Sequence, residues 1–182
     1  MSKWFYKNKK IDRELSNKLG IHPAIIKILA DRGVETEEDI REFLAADLSK
    51  VSDGSELTDM EKGVSIIQDA IAAGKHIRII GDYDVDGVTS TYILYKGLIG
   101  LHAKCDKFIP HRIKDGYGLH ENAIRRARED GVEVILTCDN GIAATDAVSL
   151  AKEFGMTVVV TDHHEVPFVQ EPDGRRYILP AA

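Results

Sequence analysis

The sequence predicts an α/β fold: a doubly wound, mainly parallel sheet flanked by helices, with a small helical N-terminal extension. Three observations predict it. Four short apolar runs, most rich in Ile and Val, follow residue 57, helical patterns separate them, and a glycine closes each of those helices (Gly100, Gly131, Gly155). Strands joined through helices make right-handed crossovers, so the sheet is parallel and covered on both faces.

Before residue 57 the patterning is helical only. His22 to Arg32 reads as a helix with Pro23 in its first turn and Gly33 as its stop, and Thr36 to Ala46 as another with an acidic first turn. Residues 1–56 are expected to form the extension and residues 57–182 the α/β domain. Thr58 and Glu61 form a capping-box pair, and Met60, Val64, Ile67 and Ile71 then mark one helical face that ends at Gly74. The four runs are His76 to Gly81, Ala103 to Ile109, Val132 to Cys138 and Met156 to Thr161. Helices are expected at Val88 to Ile99, Leu119 to Asp130 and Ala143 to Phe154, and Tyr177-Ile178-Leu179 reads as a further strand.

With 182 residues and 43% apolar character the chain can bury one good core, which excludes disorder as its main state. Its longest apolar stretches fall far short of the roughly 20 residues of a spanning helix, and Met1-Ser2-Lys3-Trp4-Phe5-Tyr6-Lys7 has no signal-peptide core. A cytoplasmic protein with no membrane partner is expected. Two cysteines, Cys105 and Cys138, exclude a disulfide scaffold and a Cys-rich zinc site. A net charge of −6 argues against stand-alone nucleic-acid binding without bound cations or a further domain.

Ligands of an open parallel sheet bind beyond the carboxyl ends of its strands, so the residues that follow each strand belong together. Asp82-Tyr83-Asp84-Val85-Asp86-Gly87 follows the first strand, Asp139-Asn140-Gly141 the third and Asp162-His163-His164 the fourth. The second leads into Pro110-His111-Arg112-Ile113-Lys114-Asp115-Gly116-Tyr117-Gly118. Carboxylates crowded on one rim raise one another's pKa unless a cation neutralises them. Aspartates beside histidines suit Mn²⁺, with Co²⁺ or Zn²⁺ as alternatives, and the donors exceed what one ion needs. A two-metal site for in-line attack on phosphorus is the reading that uses them all.

Blander readings compete. Asp82-x-Asp84-x-Asp86-Gly87 looks like an EF-hand opening, but Ile93 stands where a bidentate Glu is needed and a strand precedes the loop. Asp84 to Thr89 resembles the nucleophile loop of haloacid-dehalogenase-type phosphatases, yet the chain has no Asp-Asp dipeptide to supply their distal acidic pair. A lone loop Asp is usually a helix cap. Cys138 reads as a small buried hydrophobe, and His22, His76, His102 and His120 as surface or capping residues. Arg125, Arg126 and Arg128, interleaved with Glu121, Glu129 and Asp130, read as a solvated face.

Four ordered motifs carry a resemblance: Gly81 to Ser90, Ile109-Pro110-His111-Arg112 with Gly116-Tyr117-Gly118-Leu119, Cys138-Asp139-Asn140-Gly141, and Asp162-His163-His164-Glu165. Together they resemble the N-terminal part of the RecJ-type single-strand-DNA-specific exonucleases of the DHH phosphoesterase superfamily. The resemblance implies that Asp84 and Asp86 each hold a different ion, Asp139 bridges both and His163 completes the second ion's shell. It implies that His163 belongs to the second ion's own coordination shell as a direct ligand, and that His164 meets the scissile phosphate or holds that shell in place, with Asp162 behind it; His164 and Asp162 are the candidate catalytic residues. His111, Arg112 and Asn140 are the candidate substrate contacts. Many members carry a His four residues before the first of these aspartates; here Ile80 stands there, and Asp82 is the candidate replacement ligand.

The implied function is 5′-to-3′ hydrolysis of single-stranded DNA in repair and recombination, with two Mn²⁺ ions, or Mg²⁺ or Co²⁺, in the complete enzyme. The family carries a further metal-binding Asp downstream, so the sequence is expected to hold an incomplete DHH domain, monomeric and weakly active or inactive in isolation. Alternative functions are a superfamily phosphodiesterase acting on oligoribonucleotides or cyclic dinucleotides, and a non-catalytic RecJ-like scaffold.

Overall fold

The structure, a computed structural model, describes residues 12–45, 47, 49, 51–170 and 176–178. The chain divides into two compact units, Met1–Glu56 and Leu57–Ala182.

In the first unit three helices form: α1 (Arg13–Leu19), α2 (Pro23–Asp31) and α3 (Glu37–Ala45). The spacing anticipated α2 and α3. It missed α1, whose N-cap Asp12 accepts a hydrogen bond from the Leu15 amide at 2.8 Å and which ends at left-handed Gly20. His22 caps α2 through Nδ1, and Pro23 follows at a position that needs no amide donor. Ile26, Leu29 and Ile40 are buried together, with Leu15, Leu19, Ile21 and Val34 packed around them.

The second unit runs α4 (Met60–Ala72), β1 (Ile77–Ile80), α5 (Val85–Gly100), β2 (Cys105–Phe108), α6 (Glu121–Glu129), β3 (Val134–Cys138), α7 (Thr145–Glu153) and β4 (Thr157–Thr161). Its sheet is parallel throughout in the order β2-β1-β3-β4, the expected α/β architecture. Alternate strand residues face opposite ways. Ile77, Ile79, Val134 and Leu136 pack with Ala70 of α4 and Leu98 of α5, while Ile80 and Ile135 pack with Ile124 of α6 and Val148 of α7. Each such side chain contributes about 1.5–3 kcal/mol by leaving water. Because the chain moves from β1 outward to β2 and then returns to the other side as β3, the loops after β1 and β3 diverge and leave a crevice between them.

Local details differ from the sequence reading. The expected capping box at Thr58 and Glu61 does not form; Asp59, at a left-handed φ of 56°, precedes α4 without a side-chain cap bond. A cap needs extended backbone, so Thr58 stands too early to serve. α5 starts at Val85 rather than Val88 because Asp84 caps it. Two short strands, β5 (Phe168–Gln170) and β6 (Arg176–Ile178), pair antiparallel; Leu179 of the expected strand lies outside the described residues. His120 caps α6, and Arg125 and Arg128 of that helix engage Glu121 and the Phe154 ring. No helix of the described residues is long and apolar enough to cross a membrane.

His76 has a partner that sequence did not show. Its Nε2 lies 3.1 Å from Asp106, which also accepts two bonds from the Arg78 guanidinium at 2.8 and 2.6 Å. Arg78, 11% exposed, donates a third to Asp130, tying β1, β2 and the end of α6 together. Burial pushes the Asp106 carboxyl up, but the bonds from Arg78 outweigh it and hold the group below the ordinary carboxylate value. The contribution of this contact is complete above the ordinary carboxylate pKa of about 4 and is lost as pH falls through the lowered value. Asp106→Asn is expected to lower unfolding free energy by about 1–3 kcal/mol near neutral pH, toward the low end because Asp106 is 38% exposed. Urea denaturation across the acid range checks this, and the variant should also show a flatter decline below pH 4 or so.

Candidate functional site

All four strand-end loops contribute side chains at the crevice, and glycines permit their approach. A Cβ on Gly87 would lie 2.5 Å from the Asp82 carbonyl oxygen, and one on Gly81 would lie 1.9 Å from Thr91 Oγ1. The first turn of α5 therefore sits directly on the β1 loop. Asp84 closes that turn, its Oδ1 accepting from the Gly87 amide at 2.9 Å, so its role as a cap is real, and the residue is exposed. Asp82 is 1% exposed, and neither carboxylate oxygen has a hydrogen-bond partner among the described residues. An uncompensated buried carboxylate costs several kcal/mol, so this position fits a cation.

After β3, Asp139 takes a left-handed φ of 62° and is 9% exposed. Its Oδ1 lies 2.9 Å from His163 Nε2. Burial raises the Asp139 pKa and the nearby Asp84 charge raises it further, against the opposing pull of His163 and His164. Donor atoms of Asp139, His163 and His164 all lie within 4.8 Å of one another. Carboxylate oxygens with imidazole nitrogens form a donor set suited to Mn²⁺ or its neighbours.

Asp162, buried behind this trio, accepts from the Ile142 amide at 2.9 Å and from the His164 amide at 3.1 Å, and meets His164 Nδ1 at 2.6 Å. Burial raises its pKa, but these donors outweigh burial and lower it overall; the bond to Asp162 in turn raises His164. The expectation that crowding raises carboxyl pKa values thus holds at Asp139 and not at Asp162.

Tyr117 joins the loops. Its hydroxyl donates to the Asp139 carbonyl at 3.1 Å and lies 3.2 Å from His164 Nε2. The residue is half exposed, yet its pKa is pushed up to about 12, first by desolvation of the hydroxyl and then by the negative charges of Asp82, Asp139, Asp162 and Asp84. Sequence alone assigns Tyr117 no role; its signal is a tyrosine between Gly116 and Gly118 in a strand-end loop.

The remaining candidates are placed differently. Asp86 is exposed in the first turn of α5, and no hydrogen bond or ion pair of the described residues ties it to the cluster. His111 is exposed and its Nδ1 accepts from the Ile113 amide. Arg112 lies 5.3 Å over the Tyr83 ring, which meets Tyr117 edge to face at 6.1 Å, so Arg112 stands at the outer end of an aromatic row leading to His164. Asn140 is 1% exposed and turned inward, donating to the Ile80 and Cys138 carbonyls at 3.0 and 2.9 Å. Its amide group is thereby used within the fold. Cys138 is buried with its sulfur 3.4 Å from Thr91 Oγ1, the small hydrophobe expected.

The model of the DHH family, N-terminal domain, matches residues 76–181. The chain belongs to the DHH family. Among its relatives, the single-stranded-DNA-specific exonuclease RecJ of Bacillus subtilis (strain 168) is 40% identical over 168 residues, covering 92% of this chain and 21% of the relative. RecJ of Escherichia coli (strain K12) is 31% identical over 159 residues, 87% of this chain and 27% of the relative. Two solved structures agree in fold. The exonuclease RecJ bound to manganese superposes with a TM-score of 0.56 at 38% identity, over 60% of this chain and 28% of that one. RecJ from Thermus thermophilus in complex with Mn²⁺ gives 0.54 at 30% identity, over 84% and 21%. The chain thus spans about a quarter of these RecJ proteins. Its matched DHH region contains every candidate ligand named above.

Two outcomes follow from this geometry. Gly87→Ala should destabilise the protein by about 1–3 kcal/mol or more in chemical denaturation, because the new methyl meets backbone rather than a movable side chain. Asp162→Asn should lower the titration midpoint of His164 toward the ordinary histidine value, as followed by NMR of its imidazole; an unmoved midpoint would contradict the assigned cause.

Proposed function

We propose that the chain carries the metal-binding phosphodiesterase core of a single-strand-DNA-specific 5′-to-3′ exonuclease acting in DNA repair and recombination. One observation carries the reading: the Asp139, His163 and His164 donors gather within 4.8 Å at the sheet's switch point. The buried Asp82 carboxylate, which lacks a hydrogen-bond partner among the described residues, supports it. The names of the RecJ relatives and of the manganese-bound neighbours support the substrate and the cation.

In this reading Asp84, Asp86, Asp139 and His163 hold two divalent ions, with Asp82 as a further carboxylate for them. Such a pair supplies a water nucleophile of lowered pKa and neutralises charge on the phosphoryl oxygens. The protein's own groups do the rest. Asp162 fixes the His164 ring and its protonated Nδ1, so His164 faces a phosphate as an oriented donor. Arg112 offers two parallel donors to a neighbouring phosphate, and the Tyr83 ring below limits where they point. Asp139 is held in its left-handed turn by the bond from Tyr117, so its carboxylate is preorganised before any ligand arrives.

A thermal melt with and without Mn²⁺ tests this. Mn²⁺ at a hundredfold over its Kd stabilises by about 2.7 kcal/mol, a rise of several degrees, if it binds the native state alone. Asp139→Asn should abolish the rise while leaving the metal-free midpoint nearly unchanged, since Asn tolerates the same backbone. A parent chain whose midpoint ignores Mn²⁺ would sink the proposal.

A further inference from the structure

We propose that Tyr117 is a positioning residue whose hydroxyl keeps the His164 imidazole out of the metal shell and leaves it for the substrate phosphate. This deepens, and rests on, the metal-binding reading given above.

Distance alone does not separate the two histidines, because His163 and His164 both place a ring nitrogen within 4.8 Å of the other donors. Their bonds separate them. His163 directs Nε2 at Asp139 Oδ1, 2.9 Å away, as expected of two donors arranged to share one ion. His164 has both nitrogens engaged, Nδ1 by Asp162 at 2.6 Å and Nε2 by Tyr117 at 3.2 Å. The Asp162 bond would not by itself bar ligation. Metal-ligating histidines commonly give one ring nitrogen to a carboxylate and turn the other to the ion. The partner of Nε2 is therefore what distinguishes them: for His163 it is the Asp139 carboxylate, itself a proposed ligand, and for His164 it is the Tyr117 hydroxyl.

Several contacts keep the hydroxyl in place. It donates to the Asp139 carbonyl at 3.1 Å, and the ring stands edge-on to His164 at 5.9 Å and to Tyr83 at 6.1 Å. Both flanking residues are left-handed, Gly116 at φ 86° and Gly118 at φ 61°. A Cβ at Gly118 would approach Asn140 Cβ to 2.9 Å, so the loop is packed against the inward-turned asparagine. Because the hydroxyl gives its one proton to the Asp139 carbonyl, it faces Nε2 as an acceptor, a place that a phosphate oxygen can take over and a cation cannot.

The test is a count of imidazole nitrogens directly bound to Mn²⁺, read by electron spin-echo modulation on the metal-loaded chain. The parent should show one, from His163, and His164→Ala should still show one. Tyr117→Phe, which removes the hydroxyl and keeps the ring, should show two, and Tyr117→Phe combined with His164→Ala should return to one. Two nitrogens in the parent, or one in the Phe variant, would overturn the proposal. Should the Phe variant fail to fold, Tyr117→Leu, which also lacks the hydroxyl, is read in the same way, two nitrogens supporting the proposal and one overturning it; loss of a nitrogen in His164→Ala overturns it in either case. A parent that binds no Mn²⁺ removes the underlying metal-site reading, an outcome distinct from any change in count.

Discussion

The inward-facing amide of Asn140 joins the ends of β1 and β3 where the connections of the sheet part company. Parallel strands at a switch point lead into loops that run apart, so their last carbonyls lose ladder partners. Asn140 donates to one carbonyl on each strand, at Ile80 and Cys138, and so holds together the two points from which Asp82 and Asp139 depart. Without that stitch the carboxylates would sit on independent loops. With it, they share a frame whose sides are Ile-rich strands buried from both faces.

Placement on that frame decides what each acid can do. Asp139 and Asp162 are the same residue type a strand apart, yet burial and a neighbouring negative charge push the first up while backbone and imidazole donors draw the second down. Asp162, drawn down, is the stronger acid and orients its neighbour; Asp139, pushed up, is the more readily protonated of the two until a cation or imidazolium balances it. Arg78 shows the same logic at the opposite end of β1, where a nearly buried guanidinium is met by Asp106 and Asp130 in a purely architectural contact.

Periodicity made the sheet and its helices legible because burial imposes it: Ile77, Ile79, Val134 and Leu136 must share one face whatever surrounds them. The convergence of the acidic loops was legible for a topological reason, since every strand of a parallel sheet ends on the same side. Directions of side chains were not. Asn140 and Asp86 stand in equally polar motifs, but one turns into the fold and the other, in the first turn of α5, is exposed, and only the backbone path separates those outcomes. Helix α1 was missed because its apolar signal is thin, with Leu15 and Leu19 the leucines it packs on the small core. Tyr117 was visible as a motif member and silent as a chemical group, because its meaning lies in a hydroxyl reaching two loops at once.

The left-handed backbone at Asp139 narrows the choice of amino acid there. Only Gly, Asn and Asp enter that region at little expense, the latter two through short polar side chains that bond locally. Of these, Asp alone is an anion. Glutamate, an equally competent donor on an ordinary loop, would bring a longer stem and a conformational penalty. Stereochemistry and the coordination chemistry proposed for the site therefore select the same single residue, each for its own reason.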